Sequence, residues 1–572
     1  MAKLLGMLAL KDDAYTGFES NIWYNPDIAP LPPKRRPWSH IDYFGFTSVS
    51  CLCITAWTAS AALLSLGLTV GMTMGVGLVS KVFIALLAIG NGWLGAEWHV
   101  GFTVAQRITL GMYGSFLGIL IRIILSVVWY ASQAWLGGLC VTAMLSSWSF
   151  GFLNMRNTLP PSAHMVTRDF IGFVLFQMLS LPFMLIRPEK VRIPVALANF
   201  FTTCVMIAIT IRTCKEAGGL GPLIHKGTDY STLSPAWAWF YAITSTVGGI
   251  SSGILNQSDY TRFAKKQGHQ VPGTIIGLFV VGTLVPILSI LTASASVEIY
   301  GGEPFWNPLT LVIQWLLDDY SPANRAGAFF CSLAFVTSQL AENILGNGFA
   351  AGMDLAGLFP KYINMRRGCL ICAILSWVVQ PWLFYNTASV FVAVMASFSV
   401  FLAPLTGIML ADYFIIRKQR IQLRQLYTGS KEGAYFYTAG VNWRAMVTWI
   451  VCFTPAIPGM VANLNPAVVV NEGIMNYYRG NYIFGSSPTV SSPSPSVYLP
   501  NTGLLEGATM YTALCYIFTI KGAGLEDDQD YYGTFDEEQI ERRGITAWNG
   551  PKTNSEDEDE NQVNRVTPAA VA

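Results

Sequence analysis

GMYGSFLGILIRIILSVVWYASQAWLGGLC, residues 111–140, carries a single charge, Arg122, in thirty positions. A helix needs about 20 mostly apolar residues to cross the hydrocarbon of a bilayer, so this stretch reads as a transmembrane helix. It also holds groups that lipid does not tolerate. Trp129 and Gln133 lie four residues apart, and Arg122 lies seven before Trp129, spacings that keep all three on roughly one face. At 1.5 Å per residue the indole and the carboxamide stand about 10 and 16 Å beyond the guanidinium. A carboxamide in hydrocarbon needs hydrogen-bond partners, so that face must look into protein or into a water-filled cavity. Gln133 as glue between helices, with Trp129 as packing bulk, is the plainer reading; a solute pathway is the other.

The same apolar pattern recurs along the chain. Of 572 residues 52% are hydrophobic and 12% charged, against roughly 25% charged in a soluble domain. The fold class is therefore an all-α polytopic membrane protein. Twelve candidate transmembrane helices fall near 43–66, 72–96, 111–140, 169–187, 193–212, 236–256, 273–297, 327–351, 369–388, 390–411, 445–464 and 502–520. They make one membrane domain over 43–520, with an N-terminal tail over 1–42 and a C-terminal tail over 521–572. Lys and Arg collect in alternate loops, which by the positive-inside rule puts both termini in the cytoplasm. Lys81, early in the second span, is expected to snorkel to the outer interface.

Three segments lie outside this pattern. SSPTVSSPSPSVYLP, about 486–500, is too rich in Ser and Pro for a lipid-facing helix and reads as an insertion before the last span. NLNPAVVV after the eleventh span reads as an extension of it or a re-entrant end. Thirteen of the 34 acidic residues follow residue 520, against five of the 35 basic ones. That tail reads as acidic, disordered and cytoplasmic, a docking site for trafficking or endocytic machinery. The ten cysteines are scattered without metal-ligand spacing and read as small core residues; no metal and no nucleic-acid partner is expected.

TSQLAENILGNGFAAGMDLAGLFPK, residues 337–361, complements the third span. Asn343 and Asn347 stand at i, i+4, with Asp354 seven residues further on. This helix runs opposite to the third, so Asp354 falls about 10 Å below Asn347, close to the depth of Arg122. A binding chamber above a charged inner gate follows; a fixed structural ion pair is the competing reading. Glu342 is offset from Asn347 by about 140° on an α-helix and so is assigned to another face. A carboxyl in apolar surroundings is a candidate proton carrier, or else the partner of a cation on a neighbouring span. In the sixth span Gly248, Gly249, Ser251, Ser252 and Gly253 permit an unwound segment. The first span is softened more mildly by Thr55, Thr58, Ser60 and Ser65. Soft spans five helices apart suit two inverted five-helix repeats whose broken helices meet substrate, which places Ser60 near the solute.

NPDIAPLPPKRRPW, HVGFTVAQRITLGMYGSFLGILIRIILSVVWYASQAWLGG, NQSDYTRFA, GNGFAAGMDLAGLFPKYINMRRG, GIMLADYFIIRK, GVNWRAMVTW and DYYGTFDEEQ follow one another in order over about residues 24 to 540. Together they resemble the nucleobase:cation symporters of the fungal uracil and allantoin permease branch. The resemblance implies a LeuT-like fold of 5+5 inverted repeats plus two extra helices, and uptake driven by a cation gradient. It places Trp129 as the ring that stacks on a flat heterocycle, Gln133 and Asn347 as the amides that bond its edge, and Gly249 as a backbone contact. Met395 matches a position at an outer gate, and Ile250 replaces a second stacking tryptophan. Ala341 and Glu342 stand where sodium-driven relatives have hydroxyls, which implies a proton rather than sodium. Asp27 joins Arg122 and Asp354 at the inner gate, and Asn343 lies near the substrate. GFAAGMDLAGL is similar to the thiamine and nicotinamide riboside transporters.

The expected activity is a plasma-membrane proton symporter importing uracil, allantoin or a related flat amide. A thiamine or nicotinamide riboside carrier is the alternative within the family, and a nutrient-sensing transceptor the alternative outside it. No cofactor is expected. HExxH is absent from the sequence and the polar residues show no catalytic constellation, so an enzyme is not expected either.

Overall fold

A computed structural model describes residues 9–10, 18–186, 192–228, 233–465, 467–482, 503–548 and 550. Among these the regular elements are helices, with only isolated bridges such as Trp38 to Ala264 besides. Eight helices are long and apolar enough to cross a membrane, and a ninth is a pair bent by 54°. That pair is α1 (His40–Cys51) and α2 (Ile54–Ala62), the latter running on through a 3₁₀ turn to Leu66. The longest uninterrupted α-helices among the described residues are α3 (Val70–Trp98) and, after the short α4 (Phe102–Leu110), α5 (Ser115–Trp148). The expected count of twelve is not reached by length and composition alone. The helices at the three remaining positions, α8 (Pro235–Leu255), α15 (Met365–Leu375) and α20 (Gly503–Ile517), fall short. At 1.5 Å per residue α20 spans about 22 Å, less than a bilayer core of about 30 Å.

Two helical groups meet along α5. α1 and α2 pack on the helix over Gln270–Tyr300, which also packs on α3, and α3 packs on α8. α5 packs with α6 (Thr167–Ser180), α13 (Pro322–Glu342) and its continuation α14 (Phe349–Leu358), while α15 packs on α14. The break between α1 and α2 faces α13. Leu52 and the extended Cys53 leave helical geometry there, and backbone groups freed inside a membrane need partners. Ser338 Oγ donates to Leu52 O at 2.7 Å, and Gln339 Oε1 accepts the Ile54 N–H at 3.1 Å. Both ends of the break are thus tied to one turn of α13.

Three local expectations change. α8 stays helical through Gly248–Gly253 and breaks only at Asn256, before α9 (Gln257–Thr261). Its glycines serve packing: a Cβ on Gly248 would lie 2.6 Å from Met395 O of α16 (Ala388–Leu410). α13 does not continue as a plain α-helix, because Asn343–Gly348 form a π turn with i→i+5 bonding. The eleventh span (α17, Trp443–Phe453, and α18, Ile457–Leu464) ends at the extended Asn465 rather than running on. The chain then forms α19 (Glu472–Gly480), whose buried Tyr478 hydroxyl lies 3.3 Å from Ser397 Oγ. The Ser/Pro stretch at 486–500 lies outside the described residues, as do residues 551–572 with their acidic run.

The tail expected to be disordered from residue 521 is folded over 521–548, with α21 at Glu537–Arg543. Composition misleads here because the acids alternate with aromatic anchors. Tyr532 stacks on Tyr24 at 6.1 Å, and Asp530 accepts the Tyr532 and Phe535 amides. Arg543 lies over the Trp98 ring at 3.8 Å and pairs with Glu97 and Glu526. Gln539 reaches Arg36 and His99. His99 also accepts from Arg36, and burial, then the Arg36 guanidinium, hold its ring well below the usual imidazole range. A neutral imidazole is the state that can accept on Nε2 while Nδ1 donates to Arg262 O.

Candidate functional site

A cavity of about 260 Å³ lies where α2, α3, α5, α8, the α13–α14 junction and α16 converge. That is near the lower edge of the roughly 300–1,000 Å³ usual for small-molecule sites. Trp129 and Gln133, one turn apart on α5, both reach its wall. The Trp129 indole is 5.8 Å from the Phe398 ring, which backs it from α16. Gln133 Oε1 accepts from Thr55 Oγ1 at 2.8 Å and from Gln339 Nε2 at 2.7 Å. Opposite α5, Gly249 and Ile250 of α8 and Met395 of α16 line the same space. A Cβ on Gly249 would lie 3.2 Å from the Met395 sulfur and would press on that side chain. Ser60 of α2 completes it.

The π turn decides which residues of the eighth span face the cavity. In i→i+5 bonding residues five apart stack on one face, as residues four apart do in an α-helix. Glu342 and Asn347 are five apart, and both line the cavity. The assignment of Glu342 to another face is therefore corrected: the 140° offset holds for an α-helix, and this segment is not one. Glu342 Oε2 accepts from Ser50 Oγ at 3.1 Å, which ties it to α1. Asn343 does not reach the wall. It is fully buried behind Asn347, whose Nδ2 donates to its Oδ1 at 3.4 Å.

Below the chamber Arg122 and Asp354 form a buried ion pair, at the matching depth that the rise per residue sets. Arg122 also donates to Ser126 Oγ at 2.8 Å and to Ser252 O at 3.3 Å, so one guanidinium joins the third, sixth and eighth spans. Arg122 and Ser126 line the cavity, and Asp354 lies behind them. Asp27 takes no part in this pair. Its carboxylate accepts the Met365 N–H at 2.8 Å at the start of α15, because a helix N-terminus needs acceptors.

Lys81 also departs from its expected place. It lies eleven residues past Val70, about 16 Å along α3, out of reach of the interface for a four-carbon stem. It is buried, lines the cavity and takes no hydrogen-bond partner among the described residues. Gly77 and Gly282 make room for it: added Cβ atoms there would lie 3.5 Å from its Nζ and 3.3 Å from its Cε. Sequence reasoning also passed over Gln339 and Thr55 as holders of Gln133. For Gln339 the signal was present, a third carboxamide in the eighth span one turn before Asn343.

Residues 30–485 match the family model described as permease for cytosine/purines, uracil, thiamine, allantoin. The chain belongs to this family. It is 37% identical to a thiamine transporter of Saccharomyces cerevisiae, over 95% of this chain and 86% of that one. It is 36% identical to nicotinamide riboside transporter 1 of the same yeast, over 92% and 85% of the two chains. Among solved structures it is similar to Mhp1, a nucleobase-cation-symport-1 family transporter, in a closed conformation with bromovinylhydantoin bound. The TM-score is 0.65 at 19% identity, covering 88% of this chain and 98% of that one. The fold is thus the LeuT-like one of Mhp1, and the relatives are transporters rather than enzymes.

Proposed function

We propose that this chain imports a small flat heterocycle by proton symport with alternating access, across the plasma membrane and with both termini cytoplasmic. Twelve spans in two inverted five-helix repeats plus two helices suit this mode. The observation that carries the reading is the convergence of Trp129, Gln133 and Asn347, from two helices, on one cavity that also receives Glu342. An indole offers a stacking face and the carboxamides offer edges, the chemistry a flat polar ring requires. Glu342 is the proton site in this reading. Among the described residues its hydrogen-bond partner is Ser50 on the segment before the α1–α2 break, so its charge state is coupled to the element that must move. Arg122 and Asp354 serve as the gate beneath it. Residues 551–572 remain the candidate docking site for trafficking machinery.

A second reading is favoured by the likeness to the thiamine and nicotinamide riboside transporters. Both named substrates carry a positively charged aromatic ring, which the Trp129 face and an ionised Glu342 would attract. The two readings differ in sign with pH. If Glu342 carries the proton, uptake rises as pH falls, and Glu342→Gln removes that dependence. If Glu342 pairs with a cationic ring, protons compete, uptake falls as pH falls, and Glu342→Gln raises KM by about tenfold or more, as the loss of one charged contact does. Uptake of radiolabelled uracil and thiamine at two pH values in a transporter-deficient host measures both. Wild-type uptake of neither solute would overturn the transport reading.

Lys81→Met supplies an independent check on charge. It keeps the stem and deletes a cavity cation, so KM for thiamine is expected to fall several-fold while KM for uracil stays within about twofold, since Coulomb energy acts on the charged solute alone.

A further inference from the structure

Gln339 is 0% exposed and stands behind the cavity wall, off the solute path. All of its polar capacity is nevertheless committed. Its Oε1 accepts the Ile54 N–H at 3.1 Å, and its Nε2 donates to Gln133 O at 3.3 Å and to Gln133 Oε1 at 2.7 Å. The first of these bonds decides the rest. A backbone N–H can only donate, so the atom of Gln339 facing Ile54 must be the carbonyl oxygen, and the atom facing Gln133 must be the amide nitrogen. Two donors, Gln339 Nε2 and Thr55 Oγ1, then converge on Gln133 Oε1. Turning the Gln133 carboxamide over would set amide nitrogen against amide nitrogen. Gln133 therefore keeps its oxygen toward the protein and has its Nε2 donors left for the cavity.

We infer that Gln339 is a specificity-determining positioning residue: it fixes Gln133 as a hydrogen-bond donor, so that the transporter selects heterocycles presenting an acceptor, a carbonyl or a ring nitrogen, on the edge that Gln133 meets. This rests on the proposed function and deepens it. The carboxamide that sets the donor pattern also holds the C-terminal side of the α1–α2 break at Ile54, so substrate edge and broken helix are read by one side chain.

The test uses the full-length chain and pairs of solutes that differ in one acceptor: thiamine against its 1′-deaza and 3′-deaza forms, and uracil against 2-thiouracil and 4-thiouracil, in each of which one carbonyl oxygen becomes a weakly accepting sulfur. The wild type is expected to prefer the parent over one such analogue by about tenfold, the worth of one buried hydrogen bond. Gln339→Met frees Gln133 to turn. It is expected to shrink that preference to under about threefold through a higher KM for the parent, with Vmax per surface molecule within about twofold. A preference that survives in Gln339→Met overturns the inference, as does a wild type that discriminates in no pair. Wild-type uptake of neither parent overturns the transport reading instead.

Gln339→Glu covers the case in which the Met variant does not reach the surface. As a neutral acid its O–H can donate to Gln133 Oε1 while its carbonyl keeps Ile54; as a carboxylate it can donate nothing. The ratio of Gln339→Glu to wild-type uptake is therefore expected to rise as pH falls. A ratio that is flat or falls overturns the inference.

Discussion

Arg122→Met is expected to cost about 3–5 kcal/mol, the penalty for leaving one partner of a buried ion pair uncompensated, and to leave little protein at the cell surface. Asp354 is fully buried and among the described residues Arg122 and Ser126 are its side-chain hydrogen-bond donors, so loss of the guanidinium strands a carboxylate. Arg122→Met combined with Asp354→Leu removes both charges. Because replacing a buried pair by apolar side chains of similar size is often neutral, the double variant is expected to regain most of the melting temperature and surface abundance. Its transport is not expected to return, since Arg122 is also the group that joins the third span to Ser252 of the sixth. Thermal unfolding in detergent and surface biotinylation measure the first part, and radiolabelled uptake the second. A double variant as unstable as the single one would show that the two charges do not chiefly serve to neutralise each other. A stable double variant with normal uptake would remove the pair from the gate.

Trp129→Ala is expected to lower uptake efficiency by roughly 100-fold at unchanged surface abundance, since a ring that loses its aromatic stacking partner loses about 1–3 kcal/mol and the emptied indole space adds slack. Trp129→Phe keeps a smaller π face and is expected to stay within about tenfold of the wild type. Gln133→Leu acts by a different route: it removes the donors facing the cavity and the Oε1 acceptor shared by Thr55 and Gln339, leaving Gln339 the longer bond to the residue-133 backbone carbonyl, each buried loss costing about 1–3 kcal/mol. Its uptake is expected to fall at least as far as that of Trp129→Ala, with some loss of thermal stability as well. Unchanged KM in both Trp129→Ala and Gln133→Leu would place the solute elsewhere.

What was legible beforehand and what was not divides along a physical line. The meeting of Arg122 and Asp354 could be worked out from residue numbers, because axial position in a helix accumulates at a constant rise whatever surrounds it. The shared wall of Trp129 and Gln133 followed from α-helical spacing on a helix that is regular over its whole length. Glu342 was turned to the wrong side because one wide turn resets every azimuth beyond it. Lys81 was sent to the interface because a lone cation in an apolar run has no sequence neighbour to reveal a cavity across the bundle. The tail over 521–548 was read from its acids, although its aromatic residues carry the contacts.

By itself the sequence determined that the chain is a bundle of lipid-spanning helices and that Arg122 and Asp354 lie at one depth. Those properties depend on composition and on a repeat that each helix carries alone. Only the tertiary structure decided which end of the Gln133 amide faces the cavity, that Glu342 and Lys81 share it, and that Asp27 does not join the gate. Each of these depends on a hydrogen bond or a neighbour supplied by another helix, and no local periodicity encodes it.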